Sequence, residues 1–180
     1  EAYRVNGTPA DCVAMGLYHL GKADLVLSGI NLGSNLGSDI WHSGTVAAAK
    51  QGVILGVQAI AFSQVVNGSE PTYDLQKPYI ARVIEMLTRG DQPRLVNVNL
   101  PLEPAGICWT HQSVRQYNGK VVEGQDANGR QLYWFAATPL TNPDEHSDRW
   151  AIDQNLVSMT PIRRSLTDDA WLERLNQRAV

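Results

Sequence analysis

Cysteine is nearly absent from this sequence, with two thiols, Cys12 and Cys108, in 180 residues. So few, without metal-ligand spacing, exclude a disulfide scaffold or a zinc knuckle and predict reduced, buried thiols in a cytoplasmic protein. Long apolar runs are lacking as well. The most apolar stretch, Val46 to Phe62, is broken by Lys50 and Gln51 and punctuated by Gly52 and Gly56. It does not suit a bilayer crossing, and no signal peptide is visible. An excess of positive charge is also missing: 15 Lys and Arg stand against 18 Asp and Glu, a formal net charge of -3. That excludes a protein that coats a nucleic-acid polymer, which needs a dense cationic face, and leaves small anions as ligands.

Several catalytic signatures are absent too. His19, His42, His111 and His146 are dispersed and form no H-E-x-x-H pair, and His42 reads as a solvent-facing loop residue. No G-x-S-x-G surrounds Ser34 or Ser43, which removes the serine-hydrolase elbow. There is neither a Walker A loop nor a dinucleotide G-x-G-x-x-G. Low-complexity tracts and internal repeats are not found.

What is present alternates. The chain opens with Ala2-Tyr3-Arg4-Val5, which reads as the end of a strand and predicts further residues upstream. Thr8-Pro9-Ala10-Asp11 is a helix start, with Thr8 as cap, Pro9 at the first helical position and a carboxylate three residues past the cap. That helix is predicted to run to Leu20 and stop at Gly21. Leu25-Val26-Leu27 is a short apolar run ending at Ser28-Gly29, as expected of a parallel strand covered on both faces. Gly44 to Gln51, rich in Ala and Val, predicts a tightly packed helix, and Val57 to Phe62 another strand. Ile80, Val83, Ile84 and Leu87 lie on one face of a helix ending near Gly90. Leu95 to Leu100 alternates as a strand, stopped by Pro101.

Strand and helix in turn predict an α/β fold, a Rossmann-like doubly wound and mostly parallel sheet. Length and composition predict a single domain over 1–180, with the core sheet and helices in 1–110 and a hairpin and C-terminal arm in 111–180. In the latter part, Val121-Val122 and Leu132 to Phe135 flank Asn128-Gly129, a pair that favours the two positive φ angles of a tight hairpin turn. Tyr133, Trp134 and Phe135 suit either base stacking or a subunit interface, and the interface is the stronger expectation. Leu156 to Pro161 reads as a short strand. Thr167 is the expected cap of a last helix carrying Trp171, Leu172 and Leu175.

The chemistry concentrates between Ser28 and Thr45. Ligands in open α/β sheets bind beyond the carboxyl ends of strands, where this segment emerges. Gly29, Gly33 and Gly37 leave backbone amides accessible, and Asn31 and Asn35 supply neutral donors and acceptors. Ser43-Gly44-Thr45 opens a helix, so free N–H groups, two hydroxyls and the positive end of the helix dipole converge. Taken alone, these residues fit either turn chemistry or an anion site.

The motifs Gly7-Thr8-Pro9-Ala10-Asp11-Cys12-Val13, Ser28 to Gly37 and Ser43 to Ala49 occur in the order and spacing of the SurE survival-protein nucleotidases. Asn97 to Pro101 and Ser158 to Pro161 match as well, so the resemblance covers essentially the whole chain. It implies metal-dependent hydrolysis of nucleoside 5′-monophosphates, with 3′-monophosphates as a further candidate substrate, by a homodimer or homotetramer. Asn31 resembles the family's amide ligand to a divalent cation, Mg²⁺ or Mn²⁺, whose hardness suits oxygen donors. Asn35, Ser43, Gly44 and Thr45 resemble its phosphate-holding set. The family also has an adjacent pair of aspartates and a serine ligand nearer its N-terminus, which have no counterpart here. Asp11, Asp24 and Asp39 are not matches for that pair and are expected to be structural. A non-catalytic nucleotide- or anion-binding module that keeps the phosphate loop is the alternative.

Overall fold

The computed structural model describes residues 2–68, 71–114, 117–139 and 143–178, with the side chains of 117, 118 and 137–139 left aside. The first helix, α1 (Pro9–Leu20), begins and ends where local chemistry directs. Thr8 Oγ1 accepts from Asp11 N at 3.2 Å, and Thr8 N donates back to Asp11 Oδ2 at 2.8 Å. Gly21, at φ 79°, closes the last turn.

β1 (Leu25–Leu32) leads into a 3₁₀ turn (Gly37–Trp41) and α2 (Gly44–Ile54). Next come β2 (Gln58–Gln64), α3 (Lys77–Leu87), β3 (Leu95–Leu100) and β4 (Gly106–Trp109). The hairpin strands β5 (Tyr117–Gln125) and β6 (Gln131–Pro139) precede α4 (Asp148–Asp153), β7 (Leu156–Pro161) and α5 (Asp169–Arg178).

The main sheet has the order β1-β2-β3-β7-β4. β1, β2 and β3 are mutually parallel, β7 runs antiparallel to β3, and β4 is parallel to β7. Strands from both sides of residue 110 therefore share one sheet. Alternation sends Ile60, Phe62, Val96 and Val98 into a core with Val83 and Leu87 of α3. It sends Ala59, Ala61 and Leu95 the other way, against Val46, Ala49 and Val53 of α2, with Val13 and Leu17 of α1 alongside. Each fully buried valine in these layers contributes roughly 1.5–3 kcal/mol. Helices thus cover both faces, as a mostly parallel α/β sheet requires.

Five local expectations change. Ala2–Val5 form no strand, since no described strand pairs with them. β1 is longer than its apolar run, and it lies at the edge of the described sheet with Leu27 half exposed, so it is not covered on both faces. Cys12 is exposed and Cys108 half-buried, because α1 turns Cys12 away from the layer that takes Val13 and Leu17. Burial raises the Cys108 thiol above its ordinary pKa. The last helix is capped by Asp168, whose Oδ1 accepts from Trp171 N at 3.0 Å, and not by Thr167.

The hairpin turn is the fifth. Only Gly129 of the Asn-Gly pair has positive φ, at 76°. Asp126 explains why: its Oδ1 accepts from Asn128 N (2.8 Å) and Arg130 N (2.9 Å). These bonds fix a three-residue loop ending in a left-handed glycine in place of a two-residue turn.

Candidate active site

β1 carries the first candidate residue to the carboxyl end of the sheet. Its pairing with β2 slips between Ser28 and Asn31, and the Gly29–Ile30 peptide there is cis. Gly29 has φ 122°, and a Cβ on it would stand 2.3 Å from the Phe62 carbonyl oxygen. Only glycine fits that bulge. Beyond it, Asn31 lies opposite Ser63. Its Nδ2 donates to the Gly33 carbonyl at 2.7 Å, which leaves Oδ1 as the atom able to meet a cation or a water.

Asn35 is held differently. It is 8% exposed and rests on a polar floor formed by β2 and β3. Its N donates to Asn99 Oδ1 (2.8 Å), and its Nδ2 to Ser63 Oγ (2.7 Å). Its carbonyl accepts from Asn97 Nδ2 (2.9 Å) and Asn99 Nδ2 (3.1 Å). Asn97 and Asn99 are themselves fully buried. Asn97 Oδ1 finds no partner among the described residues, a buried acceptor that a water molecule would satisfy. The floor continues outward, since Thr160 and Ser158 of β7 pair with Asn97 and Asn99, and Thr110 Oγ1 bonds both of their hydroxyls.

Ser43, Gly44 and Thr45 form the second group, at the start of α2. Ser43 Oγ accepts from Val46 N at 3.2 Å and so caps the helix, while its own proton is left to donate. Gly52 packs on Val26, and Ala48 lies beside Ser28 and Gly29. The helix therefore runs back along β1, and its first turn lies toward the Asn31 end. Asn31 and Asn35 meet at Ser63, and the α2 start lies on the same side of the sheet. Ser43 also borders a cleft of about 540 Å³ whose walls include Lys50, Arg163, His111 and the exposed ring of Trp41. His42 is exposed at the end of the 3₁₀ turn, and Asp39 is part of that turn. Asp11 is the α1 capping carboxylate, held below its ordinary pKa by hydrogen bonds from the Thr8 hydroxyl and then the Thr8 N–H. Asp24 precedes β1 on the surface.

Among the described residues no three His, Cys, Asp or Glu side chains converge as a metal site. Asn31 offers one neutral oxygen, which does not by itself fit a divalent cation.

The family model described as Survival protein SurE matches residues 1–119. The chain belongs to the SurE family. A Thermus thermophilus relative named 5′-nucleotidase SurE 1 is 46% identical over 182 residues, covering 97% of this chain and 71% of the relative. A 5′-nucleotidase SurE of Deinococcus radiodurans is 43% identical, covering 98% and 68%. The crystal structure of the SurE protein from Aquifex aeolicus superposes with a TM-score of 0.82 at 35% identity, over 97% of this chain and 74% of that one. The mostly parallel α/β sheet with its added hairpin is thus a SurE fold.

The sequence alone assigns no site role to Ser63, Asn97 or Asn99. Asparagines alternating with valines in a strand were the available signal for two of them.

Proposed function

We propose that this SurE-family protein is a phosphomonoesterase that hydrolyses nucleoside 5′-monophosphates to nucleoside and phosphate. The observation that carries the reading is the Asn31–Thr45 segment, fixed on a buried polar floor at the carboxyl ends of three parallel strands. That is a preorganised cradle for an anion, in a chain whose relatives are named 5′-nucleotidases. The Ser43 and Thr45 hydroxyls, the amides of Gly44 and Thr45 and the Asn35 side chain are the phosphate-holding groups. Water adds to phosphorus, the ester P–O bond breaks, and the departing nucleoside oxygen takes up a proton. The cleft beginning at Ser43 is large enough for a nucleoside. The reading takes in 3′-monophosphates as a second substrate class, which the assay below addresses.

The reading includes a divalent cation, Mg²⁺ or Mn²⁺, with Asn31 as one ligand. The described residues supply no carboxylate pair to complete its shell. The alternative reading, a nucleotide- or anion-binding module without hydrolysis, rests on the same cradle of donors. The exposed hairpin aromatics support a homodimer or homotetramer. No described helix is long and apolar enough to cross a membrane.

Phosphate release from 5′- and 3′-monophosphates, with and without added Mn²⁺, tests both readings. Hydrolysis that falls strongly in Asn31→Ala, and phosphate inhibition weakened by roughly 1–2 kcal/mol in Thr45→Val, are expected. Binding of the nucleotide without turnover establishes the module instead.

A further inference from the structure

Gly37 follows the anchored Asn35 by two residues, and both of its backbone groups are held from a distant part of the chain. Its N donates to Asp148 Oδ2 at 2.9 Å, and its carbonyl accepts from Gln112 Nε2 at 2.9 Å. Asp148 is fully buried at the first position of α4, behind the Ser147 cap. Its other oxygen accepts from Ser113 N (3.0 Å) and Arg149 N (2.8 Å). One carboxylate thus joins three segments through backbone N–H groups: the candidate phosphate loop, the stretch after β4, and the start of α4. The loop cannot leave without stripping a hydrogen bond from a buried carboxylate, a costly state.

We infer that Asp148 is a positioning residue for phosphate binding, acting through Gly37 to fix the loop from Asn35 to Ser43 in its anion-receiving shape. The inference rests on the functional reading above. Asn35 is pinned to β2 and β3 on one side, and Asp148 with Gln112 pins Gly37 on the other. Between these anchors and Ser43 lies only the 3₁₀ turn, so the set of donors is rigid before phosphate arrives.

The test uses Asp148→Asn and Gln112→Ala in the whole protein, with kcat, KM and the inhibition constant of inorganic phosphate measured for each. Amide exchange of peptides spanning 33–42 and 95–100 is followed alongside. Asp148→Asn keeps the volume but turns an N–H donor toward one of the backbone N–H groups. It is expected to raise KM and the phosphate inhibition constant by about tenfold, the scale of one charge-assisted hydrogen bond. Exchange in 33–42 should quicken while β3 stays protected. Gln112→Ala, at an exposed side chain, should move both constants the same way by about twofold to fivefold, as loss of a neutral bond would; this holds the test open if Asp148→Asn does not fold. A merely structural role would reduce the active fraction, lowering apparent kcat with KM and the inhibition constant unchanged; that result overturns the inference. Unchanged exchange in 33–42 overturns it too. A parent protein that neither hydrolyses nucleotides nor binds phosphate overturns the functional reading, and this inference with it.

Discussion

Pro9, the first residue of α1, lies directly against Gly44, the first residue of α2: a Cβ at Gly44 would stand 3.2 Å from Pro9 Cγ and 3.7 Å from its Cδ. Two helix N-termini therefore abut beside the candidate phosphate site. A proline ring cannot swing aside as a flexible side chain would, so a methyl group at Gly44 must move one helix start by a few tenths of an ångström. Gly44→Ala is expected to weaken phosphate inhibition, and the usual helix gain of up to about 1 kcal/mol should not appear. Pro9→Ala in the same chain should restore part of both. A double-mutant cycle by thermal unfolding should give a coupling of about 0.5–1 kcal/mol; strict additivity would show that the contact carries no strain.

Two other glycines separate conformational need from accident. At Gly29 a Cβ would collide with the Phe62 carbonyl, and φ is 122°. At Gly16, within α1, a Cβ would meet nothing within 4 Å. Gly29→Ala should destabilise by about 3 kcal/mol or more, combining backbone strain and overpacking. Gly16→Ala should stabilise by about 0.5–1 kcal/mol through the chain entropy of the unfolded state and helix propensity. Denaturant midpoints read both.

The capping box of α1 makes a pH-dependent contribution with a definite sign. Asp11 titrates below its ordinary range because the Thr8 hydroxyl and then the Thr8 N–H donate to it. A carboxylate whose folded pKa is depressed contributes stability above its unfolded pKa and loses it as pH falls through the folded value. Asp11→Asn should therefore unfold at a lower temperature than the parent at neutral pH, and the difference should close as the solution is acidified through the carboxylate range. A difference that persists at low pH would assign the effect to packing.

That capping box was legible in four consecutive residues, as were the stop at Gly21, the α3 face and the bounds of β3, because each follows from neighbours along the chain. The polar floor was not. Leu95-Val96-Asn97-Val98-Asn99-Leu100 has the same alternation whether its asparagines meet water or a buried loop, and only the tertiary fold places Asn35 above them. Asp148 gave no signal at all, since its partner Gly37 lies 111 residues away. The hairpin turn went astray for a related reason. Asn-Gly carries a strong local preference, and Asp126 overrode it with two hydrogen bonds from just outside the pair.

The hairpin itself bears on assembly. Within it, Phe135 covers the position where a side chain at Gly119 would stand, and Trp134 does the same at Gly124, so each ring shields a bare stretch of β5 diagonally across the pair. Neither ring is thereby hidden. Trp134 remains 50% exposed and Phe135 64%, with Tyr133 at 60% and Val121 at 63%. Phe135 and Tyr133 face one side of the ribbon and Trp134 and Leu132 the other, because side chains alternate along a strand. Among the described residues no second layer covers this two-stranded sheet, whose apolar rings lie on both faces, and isolated ribbons of this kind are marginal in water. Covering the rings with a second copy of the chain recovers roughly 25 cal/mol for each Å² removed from water. Replacing 121–135 by a short Gly-Ser linker should therefore lower the mass measured by light scattering, and Trp134→Lys with Phe135→Glu should do so without shortening the chain. If both variants fold and keep the parent mass, the hairpin is not the contact between copies.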